Sequence, residues 1–591
     1  VRIAVAIGNA ARSVAAATRA GRVGRRTAEE ESAIDIHHWG PAAWLQLGVV
    51  IVLVGVLHVP LGNYMARVYT TGIDWRVEKV VYRLVGVDST RQQKWTHYLG
   101  SILAFSAVSI LGLYGLLLLQ AHLPAPWGHP GMTPALAFNT AVSFATNTSW
   151  QNYAGESTLG HLGLATALGV QAFASAAVGM CVAVALIRGI VARQADELGN
   201  FWVDLVRSCV RILLPIALLT AVILVVLGVV QNFHAAREFG TAAGGSQTLL
   251  GGPVASWESI KLLSGDGGGA FNVNSAHPFE NPTPVSNVVE IVAMLLIPVS
   301  FVRMFGVMVG DKRQGRALLA VVAVLFALGA AAIGFSESLE HGTVTAAVGS
   351  AAEGTETRFG VPGSAIFGQA ATASADGAAN SSYDSFASLG GAVLMANMML
   401  GEVSPGGSGS GLYGLLVVAL LAVFLGGLMI GRTPEFLKKR LGAREMKLVS
   451  LIILTAPIAV LVGTGLSIAL PMGVKSMGNP GPHGLSELLY AFTSCVAGNG
   501  SAFAGFTGNT GWFNVALAIA MIVGRYLPMI FVMTLAASLA RQRPGVVTAG
   551  TLRTHSPVFV GLMIGAVLIV VGLEFFPALA LGPLAEGVSG H

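Results

Sequence analysis

Ser143, Thr146, Asn147, Thr148 and Gln151 crowd into "SFATNTSWQN" (143–152), between two long apolar stretches of the chain. In lipid, polar groups must be satisfied internally, so such a run is either a surface loop or the lining of a watery path. Three more stretches share the pattern, a short apolar piece that ends in small and polar residues: "SWESIKLLSGDGGGAFNVNS", "IFGQAATASADGAANSSYDSF" and "LLYAFTSCVAGNGSAFAGF". The chemistry open to them is the holding of a dehydrated alkali cation such as K⁺. That ion needs a cage of oxygens, and backbone carbonyls supply it without a full negative charge. Carbonyls from four segments converge on one axis only where side chains are small and φ is unrestricted. Gly267, Gly268, Gly269, Gly377, Gly498 and Gly500 meet that demand, and the amides of Asn147, Gln151, Asn272, Asn274 and Asn499 are placed to tie the strands together behind the carbonyls. One Gly-rich loop alone reads as an ordinary turn. Four at corresponding positions, recurring about every 110–120 residues, read as a repeat.

The elements that must carry these loops are membrane helices. The chain of 591 residues is 54% hydrophobic and only 11% charged, against about 25% charged in soluble domains. Apolar runs of helical length place spans near 43–66, 97–121, 163–190, 203–231, 285–308, 315–335, 446–470, 512–540 and 556–580. A tenth, about 385–432, is broken by "GEVSPGGSGSG", with halves expected to be too short to cross alone. The fold expected is an all-α polytopic membrane protein of about ten transmembrane helices with four pseudo-symmetric repeats of helix, pore loop and helix. Its parts are an N-terminal extension (1–40) that reads as disordered, a first helix and cytoplasmic loop (41–96), pore repeats over 97–190, 203–308, 315–432 (with a broken inner helix) and 446–540, and a last helix and tail (556–591).

Cations collect on alternate connections: Arg67 to Lys94, Arg188 and Arg193, Lys312 to Arg316, Arg432 to Arg444, and Arg541 to Arg553. The remaining connections are long and nearly free of cations, with Lys261 among the few. The positive-inside rule then puts the basic loops in the cytoplasm and both termini outside. The same rule accounts for the net charge of +5 without a nucleic-acid partner. Cys181, Cys209 and Cys495 are scattered and read as small apolar fillers. There is no CxxC, HExxH, GxSxG or Walker A pattern, so no catalytic and no cofactor-binding residue is expected.

Six glycines in "GEVSPGGSGSGLYG" (401–414) cannot sustain a helix against lipid, so this backbone must face protein or water. Glu402, Gly406, Gly407 and Gly409 are therefore candidates for a gate or tunnel mouth below the four loops; a plain turn between two spans is the competing reading. Arg525, in "IVGRYLP", costs about 2.5–3.5 kcal/mol to insert in a span, so it should face the pore or a partner. An ion pair with Glu402 is the structural alternative. His277 and Glu280 in "AHPFENP" look like a metal pair, but their spacing across a proline is not helical, and they read as struts for the second loop. The basic stretch 431–447 is either a solvated loop or a docking surface.

At "NTAVSFATNTSWQ", "GGGAFNVNSAHPFENPT", "DSFASLGG", "GSGLYG", "MIGRTPEF", "REMKL", "NPGPHGLSE", "NGSAFAG", "GTLRTHSP" and "PALALGP" the chain resembles the KdpA family, the potassium-transporting ATPase A chain, from about residue 41 onward. The resemblance implies a single-chain relative of tetrameric K⁺ channels, within the superfamily of K⁺ transporters, that binds extracellular K⁺ in a carbonyl filter. It also implies delivery of the ion to a P-type ATPase B subunit, with a C subunit and a small F subunit completing a complex in the bacterial inner membrane. By motif, the filter positions are Thr146, Asn147 and Thr148, then Gly267, Gly268 and Gly269, then Asp376 and Gly377, then Gly498, Asn499 and Gly500. Two acids depart from the family pattern: Asp266 stands where Asn precedes the three glycines, and Asp376 where a small neutral residue is usual. Both would deepen a cation well or, if desolvated, take up a proton instead. ATP hydrolysis is expected on another chain, since no DKTGT motif occurs here. The competing function is a stand-alone K⁺ or Na⁺ uptake channel of the Trk/Ktr type, against which "AHPFENPT", "GRTPEF" and ten rather than eight spans weigh.

Overall fold

Ten helices are long and apolar enough to cross a membrane in the computed structural model, which describes residues 39–123, 129–234, 236–338, 353–429, 431, 433–545 and 552–589. The expected extension 1–40 lies outside the described residues up to residue 38. The spans are Pro41–Thr70, Trp95–Leu118, Gly163–Val191, Phe201–Val226, Pro284–Met308, Lys312–Glu337, Ser410–Met429, Ala443–Ile468, Gly511–Ala540 and Pro557–Val588. Burial divides them. The third and fifth, Gly163–Val191 and Pro284–Met308, are enclosed by the protein, whereas Pro41–Thr70 and Trp95–Leu118 present most of their apolar side chains outward, as lipid-facing helices do.

Between successive spans four short helices end inside the protein: Pro134–Ala145, Val254–Ser264, Gly360–Ala373 and Gly481–Ala497. Proline in the first turn fixes the start of the first and the fourth, where a missing N–H removes no helix bond. The expected tenth crossing differs from the sequence reading. Its first half is the short helix Ser388–Met399, but its second half, Ser410–Met429, has 20 residues and is long enough to be a span by itself. The break between them is no surface turn, because residues 402–409 are all buried.

The connections rich in Lys and Arg gather at the opposite end from the short helices and are pinned there by polar contacts. Lys439 donates to the carbonyls of Ala192, Leu539 (2.8 Å) and Gln542 (3.1 Å), capping two spans at once. Arg188 forms a two-point pair with Asp204, which also accepts from Tyr98 at 2.9 Å. These are cations at helix C-termini, where the helix dipole favours them.

Candidate functional site

All four short helices finish in the same way. A residue in the left-handed region follows the last turn: Asn147 (φ 59), Gly265 (φ 62), Ala375 (φ 59) and Gly498 (φ 85). The next residue then turns its N–H back to the carbonyl five positions earlier: Thr148 to Ser143 (3.0 Å), Asp266 to Lys261 (3.1 Å), Asp376 to Ala371 (3.1 Å) and Asn499 to Ser494 (2.9 Å). This is the helix stop that glycine or asparagine usually provides. It makes Thr148, Asp266, Asp376 and Asn499 equivalent positions on four strands.

The strands that follow form a closed ring. A methyl group added at Gly267 would collide with the backbone of Gly377; one at Gly377 would lie 2.5 Å from the Asn499 carbonyl. One at Gly500 would strike the Thr148 carbonyl, and one at Gly268 would meet Gln151 and Ser149 at 3.1–3.2 Å. Strand two therefore touches three, three touches four, four touches one, and one touches two. Gly267, Gly268 and Gly500 also have φ between 78 and 100, which an L side chain rarely adopts.

Of the expected filter positions, Thr148, Gly267, Gly268, Asp376, Gly377, Asn499 and Gly500 sit in this ring, and Asn147 and Gly498 are the left-handed residues that introduce it. Thr146 stands one step earlier, its hydroxyl 2.9 Å from that of Thr148, and Gly269 stands one step later, clamped by Gln151 at both N–H (2.8 Å) and C=O (3.3 Å). Ser149 (φ 51) occupies the position of Gly267, Gly377 and Gly500 and was missed, because nothing in a serine advertises a left-handed backbone. Two of the five expected tie residues fail. Asn272 is exposed, and the Asn274 side-chain oxygen has no partner, so among the described residues neither is seen to bridge strands. Asn147 reaches the Gly265 carbonyl at 2.6 Å and Asn499 that of Ala371 at 3.1 Å, joining strand one to two and strand four to three.

Lys261 is not a loop cation. It lies fully buried behind the second strand, 2.9 Å from both Glu258 and Glu280. Glu280 in turn accepts the Phe271 N–H at 2.8 Å, and His277 stacks on the Phe271 ring at 3.9 Å, so both residues are indeed struts. Outside the ring, His483 in the fourth short helix joins the third repeat to the last helix through Asp384 (3.1 Å) and Glu586 (2.8 Å). On the outer side of the ring a cavity of 630 Å³ is lined by all four connections, with Gln151, Gly268, Gly377 and Gly500 at its floor.

The broken segment 401–409 packs directly against the inner side. Gly406 N–H donates to Ala373 (2.8 Å), and the Ser408 hydroxyl to Leu263 (3.2 Å), so the segment hangs from the ends of the second and third short helices. A side chain at Gly407 would press on Ala375, and one at Gly409 would run into Gly179 of the third span. Glu402 accepts from Asn499 at 3.2 Å. Arg525 packs on Gly179 and donates to the Ser175 carbonyl at 3.1 Å; among the described residues it makes no ion pair, so the alternative of a bond to Glu402 is not realised. A cavity of 160 Å³ opens beside the segment, walled by Glu402, Tyr413, Pro528 and Glu574.

The profile of the family described as potassium-transporting ATPase A subunit matches residues 48–588. The chain belongs to that family. Relatives named potassium-transporting ATPase potassium-binding subunit include those of Clavibacter michiganensis, 53% identical over 93% of this chain and 99% of the relative, and Mycolicibacterium vanbaalenii, 54% identical over the same shares. Among solved structures, the potassium transporter TrkH from Vibrio parahaemolyticus aligns with a TM-score of 0.52 over 83% of this chain and 97% of its own, at 13% identity. That likeness concerns the fold alone.

Proposed function

We propose that this chain is the K⁺-binding and translocating subunit of an ATP-driven uptake pump, multi-pass in the bacterial inner membrane with both termini outside. The observation that carries the reading is the closed ring of four unlike strands, each of which meets the next at a glycine. Such a ring brings peptide oxygens close enough together to replace an ion's hydration shell. K⁺ enters from the outer cavity, loses its water in the ring and passes the segment 401–409, which acts as a gate under the filter. Arg525 adds an electrostatic barrier beside that gate and limits passive leak. The partners are a P-type ATPase B subunit, which hydrolyses ATP, together with a C subunit, a small F subunit and surrounding lipid. The names of the relatives support this assignment.

The fold likeness to TrkH keeps a stand-alone channel as the second reading. Reconstitution separates the two. The pump reading expects K⁺ at low concentration to stimulate ATP hydrolysis by the assembled complex, and uptake to stop without ATP. Uptake by the chain alone, driven only by the K⁺ gradient and indifferent to ATP, would establish the channel instead.

A further inference from the structure

The four equivalent positions that open the ring do not carry equivalent side chains. Thr148 is satisfied by Thr146 (2.9 Å). Asn499 is satisfied three ways, accepting from Ser501 and donating to Ala371 and Glu402. The two acids are not. Asp376 accepts one bond, from the Ala378 N–H at 3.0 Å, and its second oxygen has no partner. Among the described residues Asp266 has no hydrogen bond to either oxygen, although it is 0% exposed and Ser149 lies alongside. Three carboxylate oxygens are thus buried and unpartnered on neighbouring strands. The buried cations within electrostatic reach are already engaged, Lys261 by Glu258 and Glu280 and Arg525 by the Ser175 carbonyl.

An unpaired buried carboxylate is costly, and a cation seated beside it is the missing partner. We propose that Asp266 and Asp376 make the inner layer of this filter a charged cation site, which tightens K⁺ and also admits a large divalent cation as a blocker. The inference rests on the proposed function, since it assigns a specificity-determining role within the same ring. Its signature is charge dependence. The attraction of a fixed carboxylate for an ion scales with the ion's charge, so whatever factor a removed carboxylate costs K⁺, a divalent ion loses that factor squared. Mg²⁺ is a poor probe because it dehydrates reluctantly. Ba²⁺ is the probe of choice.

The experiment uses the full assembled complex and reads two quantities, the K⁺ concentration that half-stimulates ATP hydrolysis and the Ba²⁺ concentration that half-blocks it. For Asp266→Asn the expected change is about tenfold for K⁺ and about a hundredfold for Ba²⁺. Asp376→Asn moves both in the same direction by smaller factors, because one of its oxygens is already occupied. Asp376→Asn also keeps the test alive should Asp266→Asn fail to assemble. Equal factors for the two ions would mean loosened geometry rather than lost charge and would overturn the inference. So would wild-type values for both ions in both variants, with K⁺ stimulation intact. If the wild-type complex gave no response to K⁺ at all, the proposed function and this inference would fall together.

Discussion

Replacing Gly500 by Ala isolates the geometry on which the ring depends. Two costs add at this position. The backbone has φ 100, outside the range that L residues prefer, which costs about 1–2 kcal/mol. The new methyl group would also sit less than 3.0 Å from the carbonyl of Thr148 on the first strand, a contact that real side chains essentially never make. Overpacking of that kind costs about 1–3 kcal/mol. Strands four and one must part to relieve it, and K⁺ binding must then draw them back together. If even 2 kcal/mol of the strain is charged to binding, half-saturation by K⁺ rises about 30-fold. Gly498→Ala is the internal control. Its φ of 85 carries the same backbone cost, but the nearest atom to a new methyl is 3.6 Å away, an ordinary contact. That variant should lose thermal stability while keeping K⁺ affinity within a few-fold of wild type. The assay is K⁺-stimulated ATP hydrolysis by the assembled complex, with Rb⁺ and Na⁺ as competitors. A folded, assembled Gly500→Ala complex with wild-type affinity and selectivity would refute the reasoning, because the fourth strand would then not border the ion.

Three further outcomes follow from the polar contacts. The hydrogen bonds from His483 to Asp384 and Glu586 raise its pKa from 6.5 to about 10. Because the folded value is the higher, the stabilisation is complete below pH 6.5 and is lost as pH rises toward 10, so the melting temperature should fall across that window and His483→Gln should flatten the profile. Lys439→Met removes a cation that serves three helix-terminal carbonyls and leaves them unpaired; a loss of about 2–4 kcal/mol is expected, read as a lower melting temperature without a change in K⁺ affinity. Arg525→Gln should leave the ring intact while raising K⁺ leak in the absence of ATP, and leak equal to wild type in sealed vesicles would remove Arg525 from the barrier.

Helix length, cation placement and the fourfold recurrence were all legible in the chain because each is a local or periodic property. Nine of the ten spans needed only apolar runs near 20 residues, whereas Ser410–Met429 was read as half of a broken crossing. Glycines at 267, 268, 377 and 500 were legible because close backbone approach leaves few other residues possible. What the chain hid were features set by partners far apart in sequence. Lys261 looked like a loop cation, and only the fold brings Glu280 beside it to make burial tolerable. Asn272 and Asn147 are the same residue type near the same motif, yet one ends in solvent and the other spans two strands, a difference fixed by the direction of the chain after each helix stop. The register of the first repeat was hidden for a related reason. Asn147 takes the left-handed place that glycine takes in the second and fourth, so the ring position falls on Thr148 and its successor on Ser149.

The inequality of the four repeats is itself a mechanical requirement. A segment can lie flat beneath the ring only if one inner helix is interrupted and the opposing helix yields room. The interruption falls in the third repeat, where 402–409 replaces a helical turn, and the room is made by Gly179 in the first, against which Gly409, the Ser408 carbonyl and Arg525 all pack. A side chain at 179 would meet Ser408 and Arg525 at 3.0 Å, so the interrupted segment and the nearby cation share the same small surface. In a fourfold-identical assembly a glycine at that place would thin all four helices, and a break in one would break all four. Fusion of the repeats into one chain permits a single interruption with one glycine, Gly179, and one cation, Arg525, packed against it. It also permits the two acids of the inner layer to stand on adjacent strands while threonine and asparagine occupy the other two.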